Sequence, residues 1–166
     1  MTARSGYLGL GSNVGERREN IARALELLGE GGVEVESVSS LYETEPVGEI
    51  LDQPDFLNAA ARIRTELEPL ELLDACKVVE AELGRMFAGP RHGPRTIDID
   101  VLLLDDVELE HERLRLPHAQ VTARLFVLAP LLELDPGLRL PDGRRLETFA
   151  ADLREGPKVE RVGPLS

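Results

Sequence analysis

With 166 residues the chain fits a single domain, 1–166, long enough to bury a core without disulfides or a structural metal. Its 19 basic residues face 31 acidic ones, and the net charge of −12 argues against nucleic-acid and anionic-membrane partners. The lone cysteine, Cys76, excludes an internal disulfide and a cysteine-built zinc site, and no signal-type leader or apolar run of about 20 residues stands out, so a cytoplasmic location is expected.

Residues 5–10 are short and apolar and read as a strand. Asn13, followed three residues later by Glu16, resembles a capping box and predicts a helix start there. Ile21, Leu25 and Leu28 sit at helical spacing, and the glycines of 29–32 end that helix. Residues 33–42 alternate and predict one second strand. Residues 45–54 form a loop, and 56–65 a third strand. Pro69 suits the first turn of a second helix whose apolar face is Leu73, Cys76, Val79 and Leu83, with Gly84 at its end. Residues 85–95 are loop, and 96–104 are the strongest strand, turned back by Asp105 and Asp106. Residues 113–116 read as a short strand. Residues 121–134 are helical but interrupted at Pro130. A hairpin over 138–145, a short helix over 146–153 and an edge strand over 158–163 complete the chain. The order predicts an α+β, ferredoxin-like antiparallel sheet: a βαββαβ core with two helices on one face and a C-terminal extension.

The sharpest chemical feature is Thr96-Ile97-Asp98-Ile99-Asp100-Val101. In a strand, Asp98 and Asp100 point to one side with Cα atoms roughly 6–7 Å apart, while Ile97, Ile99 and Val101 point to the other. Two carboxylates held so close repel, and a divalent cation relieves this; hard oxygen ligands suit Mg²⁺, which takes one or two carboxylates and completes its shell with substrate phosphates. The bland alternative is a solvated strand face. Residues 85–97 carry three arginines and no acid in a chain of net −12, so Arg85, Arg91 and Arg95 form a cationic segment feeding into the Asp pair. Arginine forks match phosphate oxygens, and cations beside a metal-binding carboxylate pair are what phosphoryl transfer needs. Arg113, His118 and Arg124 could join them. The early G-L-G-S-N-V-G is a weak nucleotide signal and reads better as a tight strand-to-helix turn. Cys76 reads as core and His111 as surface.

Several segments then occur together in order: Y-L-G-L-G-S-N, S-S-L-Y-E-T-E-P-V-G, D-Q-P-D-F-L-N-A-A, G-P-R-T-I-D-I-D and L-P-H-A-Q-V-T-A-R-L-F-V-L. In these the chain resembles the 6-hydroxymethyl-7,8-dihydropterin pyrophosphokinases over about residues 7–136. The resemblance implies ATP and 6-hydroxymethyl-7,8-dihydropterin as substrates, with two Mg²⁺ ions bound with ATP by Asp98 and Asp100. It implies that Arg85 and Arg95 contact phosphates and assist transfer, with Glu80, Arg113, His118 and Arg124 as further ATP contacts. It implies a pterin ring sandwiched by Phe56 and Phe126, read at its edge by Asn58 and by groups around Thr44, Glu45 and Val47, with Asp98 adjoining. The sequence departs from the family pattern at Phe87, His92 and Ala119.

The expected reaction is transfer of the ATP pyrophosphoryl group to the pterin hydroxymethyl oxygen, releasing AMP, by a monomer. Two other classes fit a bare D-x-D or the fold: a metal-dependent nucleotidyl- or glycosyltransferase, and a non-catalytic small-molecule binding module.

Overall fold

Alternation within strands decides which side chains meet. In the computed structural model, which describes residues 3–44, 55–84, 96–153 and 159–165, strand β1 (Arg4–Ser12) buries Leu8 and Leu10 on one face and directs Tyr7, Gly9 and Gly11 to the other. Helix α1 (Arg17–Glu30) buries Ile21, Ala24, Leu25 and Leu28, the spacing of a single helical face. Strands β2 (Val33–Val38) and β3 (Leu41–Thr44) follow, then β4 (Phe56–Thr65), helix α2 (Pro69–Gly84) and β5 (Asp98–Leu104). The short strands β6 (Leu109–Glu110) and β7 (Arg115–Leu116) form a separate two-stranded sheet. A 3₁₀ turn (Ala119–Thr122), α3 (Leu125–Leu134), α4 (Leu146–Asp152) and β8 (Val159–Gly163) complete the order.

The main sheet runs β5-β1-β4-β3-β8, with β2 paired to β4 beyond β3, and every pairing is antiparallel. This is the ferredoxin-like βαββαβ arrangement extended by one C-terminal edge strand. Helices α1 and α2 cover one face, packing on Leu8, Leu10, Ala59, Ala61, Ile63, Ile99 and Val101. The other face is also covered: Tyr7, Ala60, Leu102 and Leu103 lie under Val121, Leu128, Leu131, Leu140 and Leu146. The sheet is thus enclosed by two helical layers, where the element order predicted helices on one face.

Four local expectations change. The strand over 33–42 is two strands broken at Ser39 and Ser40. There the Ser39 N–H still donates to the Ala60 carbonyl (2.9 Å), but the Ala60 N–H turns to the Ser39 hydroxyl (2.9 Å), which itself donates to the Ser40 carbonyl (2.7 Å). The Asn13/Glu16 capping box is absent: Asn13 is fully buried, Gly15 makes the turn at φ 69°, and Glu16 is the N-cap without a side-chain cap bond. Pro130 lies inside α3, and the interruption falls instead between the 3₁₀ turn and Arg124. The strand expected from residue 96 begins at Asp98. The loops 45–54 and 85–95 lie outside the described residues.

Candidate active site

The sheet face that carries Tyr7 and Leu102 continues toward the end of β1, where the second helical layer stops at the first turn of α3. In register across the strands, Asp98, Gly11 and Asn58 form one row and Asp100, Gly9 and Ala60 the next. Gly9 and Gly11 have no side chains to fill the space above them. A Cβ at Gly11 would lie 2.7 Å from Asn58 Oδ1, and one at Gly9 would lie 3.3 Å from Leu102 Cδ1. The result is a cavity of about 200 Å³ with the two glycines in its floor, Asp98 and Asp100 along one side, Phe56 and Asn58 on the other, and Phe126 and Val127 contributed by α3.

Each wall is held by identifiable bonds. Asn58 is buried, and its Nδ2 donates to Thr44 Oγ1 at 2.7 Å, which leaves Oδ1 turned to the Gly11 side. β5 is the edge strand of the sheet, and the N–H of Ile99, between the two aspartates, donates to Glu80 Oε2 at 2.7 Å. Glu80 also pairs with Lys77 Nζ at 3.1 Å. His118 caps the 3₁₀ turn by accepting the Gln120 N–H at Nδ1, while its Nε2 stands 3.9 Å from Asp100 Oδ1. The backbone N–H of His118 donates to the Leu102 carbonyl, tying that turn to β5.

The sequence-predicted residues therefore divide. Asp98, Asp100, Phe56, Asn58 and Phe126 line one cavity, with Thr44 behind Asn58. His118 approaches Asp100 from the edge of β5. Glu80 sits on α2 and engages the strand backbone. Arg113, at the tip of the β6–β7 hairpin, is paired with Asp74 on α2. Arg124 is exposed at the start of α3, where its Nε donates to Gln120 Oε1. Arg85, Arg95, Glu45 and Val47 lie outside the described residues. Cys76 is fully buried; burial, with the Glu80 and Asp100 charges, pushes its thiol up to about 12, so it stays protonated as core.

Gly9 and Gly11 were not singled out as site residues by sequence. Gly9 falls in the strand read over 5–10 and Gly11 in the G-L-G-S-N-V-G read as a turn, and in the structure both are strand residues. Their spacing of two was the available signal, since it puts both on one face opposite the Asp98/Asp100 face-sharing pair.

A metal can be tested against the donors present. Asp98 and Asp100 offer hard carboxylate oxygens on one face, and the Asp100 side chain is 56% exposed. Among the described residues no group of three or more His, Cys, Asp or Glu side chains forms a closed cage. A two-carboxylate, open donor set fits Mg²⁺ whose remaining ligands come from phosphate and water.

Residues 7–136 match the family model described as 7,8-dihydro-6-hydroxymethylpterin-pyrophosphokinase. The chain is 48% identical over 160 residues to the 2-amino-4-hydroxy-6-hydroxymethyldihydropteridine pyrophosphokinase of Pseudomonas aeruginosa, covering 94% of this chain and 95% of that protein. It is 48% identical over 129 residues to the protein of the same name from Bacillus subtilis, covering 77% and 76%. Among solved structures it is similar to Plasmodium falciparum HPPK-DHPS, with a TM-score of 0.69 at 16% identity over 91% of this chain. The chain spans 45% of that longer protein, and at this identity the likeness speaks to the fold alone.

Proposed function

The chain belongs to the 7,8-dihydro-6-hydroxymethylpterin-pyrophosphokinase family, and from that premise we propose that the Asp98/Asp100 cavity is where it transfers the pyrophosphoryl group of ATP to the hydroxymethyl oxygen of 6-hydroxymethyl-7,8-dihydropterin. The bond formed is from that oxygen to Pβ, the bond broken is between Pβ and the oxygen that leaves with AMP, and the hydroxyl proton departs to solvent. The observation that carries the reading is the convergence of a carboxylate pair, a buried amide and two phenylalanines on one cavity floored by glycine.

Asp98 and Asp100 would hold Mg²⁺, two ions with ATP. The metal, when bound, neutralises phosphate charge and makes the substrate hydroxyl a better nucleophile. Phe56 and Phe126 take the flat faces of the pterin, and offset stacking suits a flat heteroaromatic ring. The Asn58 carbonyl accepts from the ring's polar edge while its amide stays bonded to Thr44, so the edge is met by a fixed group. Backbone groups near Glu45 and Val47 complete that edge. Arg85 and Arg95 bring cations to the phosphates, His118, Arg113 and Glu80 border the nucleotide on the β5 side, and Arg124 joins them from the start of α3. The residues' work is positioning and charge stabilisation, the two large contributions in phosphoryl transfer. A cytoplasmic setting is proposed with it; no helix of the described residues is long and apolar enough to cross a membrane.

The test is incubation with ATP, Mg²⁺ and the pterin, with AMP, ADP and pterin diphosphate quantified. Pterin-dependent AMP matched by pterin diphosphate is expected. ADP in its place means monophosphoryl transfer and overturns the mechanism. A sugar- or nucleotide-donor reaction without pterin dependence would instead favour a D-x-D transferase.

A further inference from the structure

Glu133 lies on α3 seven residues after Phe126, two helical turns along, so both occupy the helix side that meets the sheet. That side is otherwise apolar: Leu128 and Leu131 are fully buried in the second core. Glu133 itself is exposed, at the solvent margin of that side, yet its carboxylate is held by several bonds. Tyr42 Oη donates to Glu133 Oε1 at 2.6 Å, and the Ser40 backbone N–H donates to Oε2 at 2.7 Å. Arg161 on β8 approaches Oε1 with its Nε at 3.6 Å, while its Nε and Nη2 donate to Ser40 Oγ at 3.1 and 2.8 Å. The Ser40 N–H is available because the strand is broken at Ser39 and Ser40. Arg161 is available because β8 adds to β3, with Arg161 paired to Tyr42.

The position of this cluster relative to the cavity is fixed by register. Tyr42 pairs with Asn58, and Thr44, two residues along β3, pairs with Phe56 and accepts from Asn58. The wall residues Asn58 and Phe56 therefore sit on the strand pair that Tyr42 belongs to and that Ser40 leads into. The opposing Phe126 sits on the helix that Glu133 belongs to. Glu133 is the polar tie between those two bodies. Pro130 lies between Phe126 and Glu133 and has no N–H to offer the Phe126 carbonyl, so the first turn of α3 has one fewer helical bond holding it. External anchoring of α3 then matters more than in an unbroken helix.

We propose that Glu133, held by Tyr42, Ser40 and Arg161, is a positioning residue that sets the gap between Phe126 on α3 and the Phe56/Asn58 wall, and thereby the affinity for the flat substrate. This rests on reading the cavity as the pterin site. The role differs from that of a core tie. It acts on the aromatic substrate and not on the nucleotide, whose proposed contacts lie along β5.

The experiment measures pterin binding directly, by pterin fluorescence, both without nucleotide and with Mg²⁺ and a non-hydrolysable ATP analogue, alongside KM for each substrate and Tm, in wild type, Glu133→Ala, Glu133→Gln and Tyr42→Phe. Glu133→Ala is expected to weaken pterin binding about tenfold or more, the scale of one lost charge-assisted hydrogen bond. Glu133→Gln, which keeps an acceptor oxygen, should recover most of that loss. Tyr42→Phe should weaken pterin binding by severalfold, and the KM for ATP should stay within about twofold throughout. Variants that lower Tm but bind pterin as wild type does at a temperature where they are folded overturn the inference and leave a structural tie. If Glu133→Ala does not fold, Tyr42→Phe decides by the same criterion. Wild type that binds no pterin either alone or with Mg²⁺ and the ATP analogue overturns the reading of the cavity instead, so the two failures are told apart.

Discussion

Gly11→Ala is the substitution whose effect the geometry sizes most directly. The added Cβ would stand 2.7 Å from Asn58 Oδ1 and 3.5 Å from Phe56 Cδ1. The first distance is shorter than a carbon–oxygen contact allows, so the Asn58 amide must rotate or β4 must shift. Asn58 is 8% exposed and its Nδ2 is engaged with Thr44 at 2.7 Å, so rotation breaks that bond inside the protein. Leaving a buried polar group without its partner costs about 1–3 kcal/mol, which at 1.4 kcal/mol per decade is roughly a 5- to 140-fold change in an equilibrium constant. If the amide reads the pterin edge, that factor should appear in pterin affinity, measured by fluorescence titration, while the KM for ATP stays close to wild type. Circular dichroism and Tm would establish that the variant is folded. A folded Gly11→Ala that binds pterin with wild-type affinity would refute both the role of Asn58 and the claim that the glycine floor is required.

Four further outcomes are expected. Asp98→Ala and Asp100→Ala should each remove most activity even at saturating Mg²⁺; normal turnover by either would sink the carboxylate-pair assignment. Glu80→Ala should destabilise the protein by about 1–3 kcal/mol, because it strips the acceptor from the edge-strand Ile99 N–H, and Glu80→Gln should lose less; chemical denaturation reads both. On pH, burial alone would raise the Glu133 carboxyl, but the bonds from Tyr42 and Ser40 and the Arg161 charge outweigh it and hold it below the ordinary value. Its contribution is therefore present above the unfolded carboxylate range near pH ~4.3 and lost as pH falls through the folded value. Burial first, then the bond to Glu133 and its charge, pushes the Tyr42 hydroxyl up to about 12, so that contribution is full below pH ~10 and fades as pH rises toward 12. Tm against pH for wild type and Tyr42→Phe should show the alkaline fall shrinking in the variant, and an unchanged fall would discount the pair. Finally, Cys76 should react with a thiol reagent only on unfolding; stoichiometric labelling of native protein would show that its region opens.

Local signals located most of the architecture. Residues 56–65 match β4 residue for residue, and the second helix matches α2 because it is bounded by strong punctuation: Pro69 at the first turn and Gly84 at the last. The aspartate pair was legible through period two alone. What could not be read depended on distant partners. The break at Ser39 and Ser40 follows from a donor taken up by Glu133, 93 residues later. Asn13 looked like a cap by spacing, yet it is buried directly after the end of β1. The segment after Phe149 carried no motif, and its contribution through Arg161 exists only once β8 joins β3. The second helical layer was missed because the helical pattern around Pro130 gave no partner for its apolar face, whereas the sheet supplies one through Tyr7, Ala60, Leu102 and Leu103.

The second layer also explains why a hollow exists at all. A sheet face lined by Leu102, Leu103 and Tyr7 closes dry beneath Leu128 and Leu131. Along the same face, beyond Leu102, the strands present Gly9 and Gly11 in the middle and carboxylates at the edge, which cannot pack against a helix without unpaired charge. Closure therefore stops where the chemistry of the sheet changes, at Phe126. The same alternation that fills the core at one end of β1 empties it at the other.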